Sequence, residues 1–116
     1  MLWPRAENTA PEASAESLPR LLDLGSTTCI TCKKMTPILE ELSQTFADQL
    51  LVEFIDVRAN PEAGEGYNLR LIPTQIFFDR QGRELYRHEG FMGRDDILST
   101  WRDLGLDLIG DGKQNG

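Results

Sequence analysis

Between two runs of strand-forming residues lies a segment whose apolar side chains repeat at the helical period, and that order restricts the fold more than any other feature of the chain. The first run, Leu21-Leu22-Asp23-Leu24, is closed by Gly25-Ser26-Thr27-Thr28, which supply turn and cap residues. The helical segment follows at once. Met35, Ile38, Leu39, Leu42 and Phe46 fall on one face, while Lys33, Lys34, Glu40, Glu41 and Gln44 take the other. Pro37 lies inside this pattern and predicts a kink after the first turn, because it removes a backbone donor. The next run, Leu50 to Val57, is apolar and β-branched and predicts a central strand. Two strands joined through a helix run parallel when they share a sheet, and the crossover is right-handed.

The remaining patterns complete the order. A short helix is expected from Pro61, weakened by Gly64 and Gly66. Thr74 to Phe78 reads as a strand, Asp79-Arg80-Gln81-Gly82 as a turn, and Arg83 to His88 as the antiparallel partner. Ile97, Leu98, Trp101 and Leu104 then define a helix over Asp95 to Leu106, stopped by Gly105 or Gly110, with Trp101 expected in the core. The fold expected is α/β, a central mixed sheet of four to five strands flanked by helices on both faces. Residues 1–17, rich in Ala, Glu, Ser and Pro, are expected to form a flexible N-terminal arm. The folded domain is expected over 18–108, and the tail 109–116 is expected to be disordered.

At 116 residues a chain of this kind buries about two-thirds of its unfolded surface, so one domain folds without a metal or disulfide staple. Twelve basic residues against 19 acidic ones give a net charge of −7. That balance argues against a nucleic-acid partner or an anionic membrane surface. The sequence contains no apolar stretch approaching the roughly 18–20 residues that span a bilayer, so a soluble protein is expected. Polar residues rather than an apolar signal core follow Met1-Leu2-Trp3-Pro4. The compartment reads as cytoplasmic if Met1 is the natural start, and extracytoplasmic if an export signal or anchor has been removed.

Cys29 and Cys32 are the only cysteines, and they stand where the first strand pattern gives way to the helix. Free backbone N–H groups and the positive end of the helix dipole meet there, which stabilises a thiolate on the first cysteine. One turn later, Cys32 presents its sulfur on the same side, in reach of a disulfide. Such a pair can attack a disulfide and then resolve the mixed disulfide. A zinc site would need four ligands, and beyond this pair the chain offers His88 and carboxylates. Covalent haem needs a His after the second cysteine, where Lys33 stands. A purely structural disulfide across so short a loop would constrain the unfolded chain little. Redox chemistry is therefore the favoured reading. His88 reads as a solvated strand residue rather than a base, since a helix terminus already activates Cys29.

These residues resemble the thioredoxin family from Leu21 to near Trp101. Asp23-Leu24-Gly25-Ser26-Thr27-Thr28-Cys29-Ile30-Thr31-Cys32-Lys33 resembles its active-site run, and Pro37-Ile38-Leu39-Glu40-Glu41 its first active-site helix. Asn60-Pro61 resembles its Asn-Pro, Tyr67 to Thr74 its Tyr-Gly-Ile-x-x-Ile-Pro-Thr, and Gly90 its glycine beside the substrate groove. The resemblance implies the thioredoxin fold, with Cys29 as attacking and Cys32 as resolving cysteine and no bound cofactor beyond their redox-active disulfide. It implies that Asp23 is a buried carboxylate moving the proton of the resolving thiol, an alternative to a strand-end acid facing solvent. It implies a cis proline at Pro73, where a trans proline starting a strand is the alternative. Ile72, Pro73, Gly90, Thr28, Ile30 and Thr31 would form the surface that receives a substrate strand.

The chain departs from the family where Thr28 replaces an aromatic residue, Ile30-Thr31 replaces Gly-Pro, and Phe54 replaces a lysine near the buried aspartate. The function expected is a monomeric thiol-disulfide oxidoreductase that reduces disulfide-containing protein substrates. A reductase or membrane electron carrier would be its donor. The alternatives are a disulfide oxidase or isomerase of an oxidising compartment, and a redox-inactive binding module built on the same fold.

Overall fold

The computed structural model describes residues 18–108. The expectations for residues 1–17 and 109–116 lie outside the described residues. The elements, in chain order, are β1 (Arg20–Gly25), α1 (Ile30–Thr45), β2 (Leu51–Asp56), α2 (Pro61–Gly66), β3 (Thr74–Phe78), β4 (Glu84–Glu89) and α3 (Arg94–Asp103).

Among the described residues these strands form one four-stranded sheet in the order β2-β1-β3-β4. β1 and β2 are parallel, joined through α1, while β1/β3 and β3/β4 are antiparallel. β1 and β3 occupy the middle of the sheet and are almost wholly buried. The strand expected over Leu50–Val57 is present over Leu51–Asp56. Among the described residues β2 pairs only with β1, and Leu51 and Phe54 are 45% and 43% exposed. Its apolar, β-branched character matches the packing of Val52 and Ile55 on opposite faces of the sheet.

Strand alternation divides the core in two. Leu21 and Phe77 point to the face covered by α1 and α3, and cluster with Met35, Leu39, Leu42, Phe46, Ile97 and Trp101. Trp101 is 1% exposed and meets Phe77 edge-on with ring centroids 5.0 Å apart. Leu22, Leu24, Ile76 and Phe78 point the other way, where Tyr67 and Leu69, just beyond α2, pack against them. Burial of each such side chain contributes about 1.5–3 kcal/mol. Offset by chain entropy, the two clusters hold the sheet between helical layers.

α1 runs through Pro37, its eighth residue, which has no N–H to donate to the Lys33 carbonyl one turn back. α3 ends at Asp103, three residues short of the expected Leu106, and Gly105 adopts φ +99 just beyond it. The hairpin turn is held by Asp79, whose carboxylate accepts from the backbone N–H groups of Gln81 and Arg83. A register shift between Phe77 and Phe78 marks the β3/β4 pairing.

Candidate functional site

The sheet register gathers the candidate residues at one end. Leu24 pairs with Thr74, and Thr74 with Glu89, so the end of β1, the start of β3 and the end of β4 lie side by side. The cysteines leave the first of these, Ile72-Pro73 enters the second, and Gly90 follows the third.

The turn into α1 is tied by short-range bonds. Ser26 and Thr28 share a hydroxyl contact of 2.9 Å, the Thr28 N–H donates to Ser26 Oγ, and the Cys29 N–H donates to the Ser26 carbonyl. Cys29 then occupies the N-cap in extended backbone, φ −88 and ψ 123, and its Sγ accepts from the Cys32 N–H at 3.2 Å. A sulfur thus stands where Ser or Asp oxygen usually receives a first-turn N–H. Both cysteines are free thiols, Cys29 half-buried and Cys32 buried at 3% exposure. The Cys32 thiol and backbone N–H, both donating to Cys29 Sγ, lower the pKa of Cys29, and the charge of Arg58 works in the same direction. Burial, followed by the hydrogen bond to Cys29, pushes Cys32 up to about 11. One sulfur is poised to ionise and its neighbour to stay protonated.

Behind Cys32, Asp23 is fully buried in the middle of the sheet. It faces away from Leu22 and Leu24, as strand alternation requires, and the solvent-facing alternative is excluded. Burial raises its carboxyl from 3.8 to about 6, with a hydrogen bond from Gln75 pulling the other way. Its negative charge also helps raise Cys32. Gly25, two residues on, leaves the space that Cys32 fills, since a Cβ there would stand 3.0 Å from Cys32 Sγ.

The Ile72-Pro73 peptide is cis. Thr74 Oγ1 donates to the Leu71 carbonyl, and the Gly90 N–H donates to the Pro73 carbonyl at 2.7 Å. Gly90 has φ +103, a conformation that only glycine adopts freely. Ile30 is 74% exposed, and Thr28 and Thr31 are exposed beside it.

Three residues near these groups escaped the sequence reading. Gln75 bonds Asp23, Arg58 sends its charge toward Cys29, and Phe91 is exposed next to Gly90. Gln75 had a signal, a polar residue inside a strand otherwise patterned for burial. His88, opposite Gln75 on β4, contacts the Phe91 carbonyl through Nε2 at 3.0 Å and so touches the segment after Gly90. Among the described residues no group of three or more His, Cys, Asp or Glu side chains could hold a metal ion. No described helix is long and apolar enough to cross a membrane.

The thioredoxin family model matches residues 6–103. The chain belongs to the thioredoxin family. Thioredoxin of Mycobacterium tuberculosis is 33% identical over 95 residues, which cover 82% of this chain and 81% of the relative. Thioredoxin of Alicyclobacillus acidocaldarius is 30% identical over 86 residues, 74% and 81% of the two chains. Among solved structures, thioredoxin NaTrxh of Nicotiana alata superposes with a TM-score of 0.66 at 21% identity, covering 79% of this chain and 77% of that one. At that identity the likeness speaks to fold, and it agrees with the mixed sheet and its helical layers. The sequence kinship supports a thiol-disulfide oxidoreductase, a chemistry in which family members use a redox-active disulfide and no separate cofactor.

Proposed function

We propose that the chain reduces protein disulfides by dithiol exchange, with Cys29 as nucleophile and Cys32 as resolving thiol. The observation that carries this reading is the unequal pair itself. The half-exposed N-cap sulfur of Cys29 has a lowered pKa, and the buried Cys32 beside it is raised to about 11.

Ionised Cys29 attacks one sulfur of a substrate disulfide. A Cys29–substrate S–S bond forms, the substrate S–S bond breaks, and one substrate sulfur departs as thiolate. Cys32 then yields its proton to the Asp23 carboxylate, and its electron pair forms the Cys29–Cys32 bond. The Cys29–substrate bond breaks, the second substrate sulfur leaves with its pair, and the proton on Asp23 is available to it. The substrate is reduced by two electrons and the pair is oxidised by two. Asp23 suits the task because a carboxyl near 6 both gives and takes a proton at neutral pH.

Substrate binding falls to the surface around the pair. Ile72, ahead of Pro73, offers main-chain groups to an extended substrate strand, as in short β-addition. Gly90 borders it, with Thr28, Ile30 and Thr31 as the rim on the cysteine side. The protein acts as a monomer, recharged by a partner reductase or a membrane electron carrier. The reducing direction rests on Ile72 before Pro73, which is similar to the reducing members of the family.

The test is the reduction potential of the pair, read by thiol alkylation mass shift in glutathione or dithiothreitol buffers, alongside turnover of a protein disulfide. A potential at or below the glutathione poise is expected. A clearly more oxidising value would overturn the reducing direction in favour of an oxidase or isomerase. Absence of turnover with intact cysteines would leave a binding module.

A further inference from the structure

Asp23 and Gln75 are direct partners across β1 and β3, and both are 0% exposed. Gln75 Nε2 donates to Asp23 Oδ1 at 3.1 Å. The other two polar atoms of this pair, Asp23 Oδ2 and Gln75 Oε1, are buried with no hydrogen-bond partner. A buried orphan oxygen costs about 1–3 kcal/mol. Two adjacent ones in the middle of a sheet therefore call for a physical reason.

On the same face, the indole Nε1–H of Trp101 is likewise buried with no hydrogen-bond partner. Phe54 is the partner of Asp23 on β2, and its ring stands against Gly25 on the same side. Cys32 faces Asp23 from α1, and Ile97 and Trp101 of α3 belong to the apolar cluster on this face. His88 follows Gln75 in the same row on β4, its Nε2 in contact with the Phe91 carbonyl.

We propose that Gln75 is a positioning residue for the proton on Asp23, holding the carboxylate through its amide N–H and the protonated acid through its amide oxygen. The inference rests on the dithiol reading above and names what governs its proton step. An ionised carboxylate needs a donor, and a carboxylic acid needs an acceptor for its O–H. Lysine or arginine opposite Asp23 would serve the first state alone, and an apolar residue neither. A glutamine amide carries both ends, and its terminal torsion is broad and two-fold, so half a turn exchanges them. As the Cys32 proton reaches Asp23, the amide turns Oε1 toward the new O–H, and as the proton leaves, Nε2 returns to the carboxylate. Gln75 is neutral, so it steadies both states without the cationic attraction that would hold Asp23 ionised and unable to accept the proton.

The experiment uses the full chain and has two arms. In the reduced wild-type protein, the side-chain amide resonances of Gln75 and the carboxyl carbon of Asp23 are followed by NMR across the pH range. The Gln75 amide signals are expected to move with the Asp23 midpoint, and amide signals unresponsive through that titration would overturn the proposal. In the second arm, Cys29 is loaded as a mixed disulfide with thionitrobenzoate, and its release by Cys32 is timed against pH in wild type and in Gln75→Met. Loss of a donor to a charged group is expected to slow release at neutral pH about tenfold and to move its pH midpoint upward. An unchanged profile overturns the proposal, and if Gln75→Met fails to fold, the wild-type arm decides alone. Wild-type protein that reduces no protein disulfide, yet couples Gln75 to Asp23, would defeat the proposed function and leave this inference standing. Normal turnover without that coupling would do the reverse.

Discussion

The backbone N–H of Cys32 donates to Cys29 Sγ at 3.2 Å, so one cysteine caps the helical turn that carries the other. A thiolate accepts such a bond better than a thiol does, so ionisation of Cys29 and closure of the first turn of α1 favour one another.

Cys29→Ser separates these two roles. Serine ranks with the best N-cap residues, so stability is expected to stay within about 1 kcal/mol of wild type while disulfide turnover is abolished. Cys32→Ser is expected to keep the first attack and accumulate a stable mixed disulfide with substrate, seen as a mass increase that dithiothreitol removes. Equal loss of fold in Cys29→Ser, by denaturant titration, would show that the sulfur itself holds the turn.

Gly25→Ala tests the space behind the pair. The added Cβ would stand 3.3 Å from the part-exposed Phe54 ring and 3.0 Å from the Sγ of Cys32, which is buried and cannot withdraw without disturbing the core. Overpacking of this kind costs about 1–3 kcal/mol, and the urea midpoint should fall accordingly. Wild-type stability in this variant would mean that Cys32 has free room to turn.

The buried carboxyl gives a pH dependence with a definite sign. Asp23 is raised from 3.8 to about 6 in the fold, so between those values the native state binds the extra proton and stability falls as pH rises. Above that window the ionised, buried carboxylate carries its full penalty. Asp23→Asn is therefore expected to be more stable than wild type by roughly 2–3 kcal/mol near pH 8, and to lose that advantage below about pH 4. Paired urea titrations at the two pH values measure it, and an advantage independent of pH would sink the assignment.

Arg58→Ala should raise the Cys29 pKa, because its charge is one of the influences holding that thiol down. Iodoacetamide alkylation of Cys29 against pH would report the shift. Salt should diminish the wild-type advantage, since Arg58 is exposed and its field is screened.

Periodicity made the layers legible. Alternation of Leu21, Leu22, Asp23 and Leu24 assigns each to its face, and the helical spacing from Met35 to Phe46 marks the side of α1 that is buried. The cysteine pair was legible because its chemistry depends on neighbours within one turn. Gln75 was not read as part of the site, since its partner lies 52 residues away and only the antiparallel register brings them together. Residue type tells how a strand packs on its two faces but not how many strands lie beside it.

Placing both sulfurs on a single helical turn has a thermodynamic consequence. The unfolded chain can close the same short disulfide, so folding and oxidation form a four-state cycle whose legs must sum to zero. Every 30 mV by which the potential of the folded protein departs from that of its unfolded chain equals about 1.4 kcal/mol of difference in stability between oxidised and reduced forms. Melting the two forms side by side therefore measures how strongly the fold itself selects a redox state.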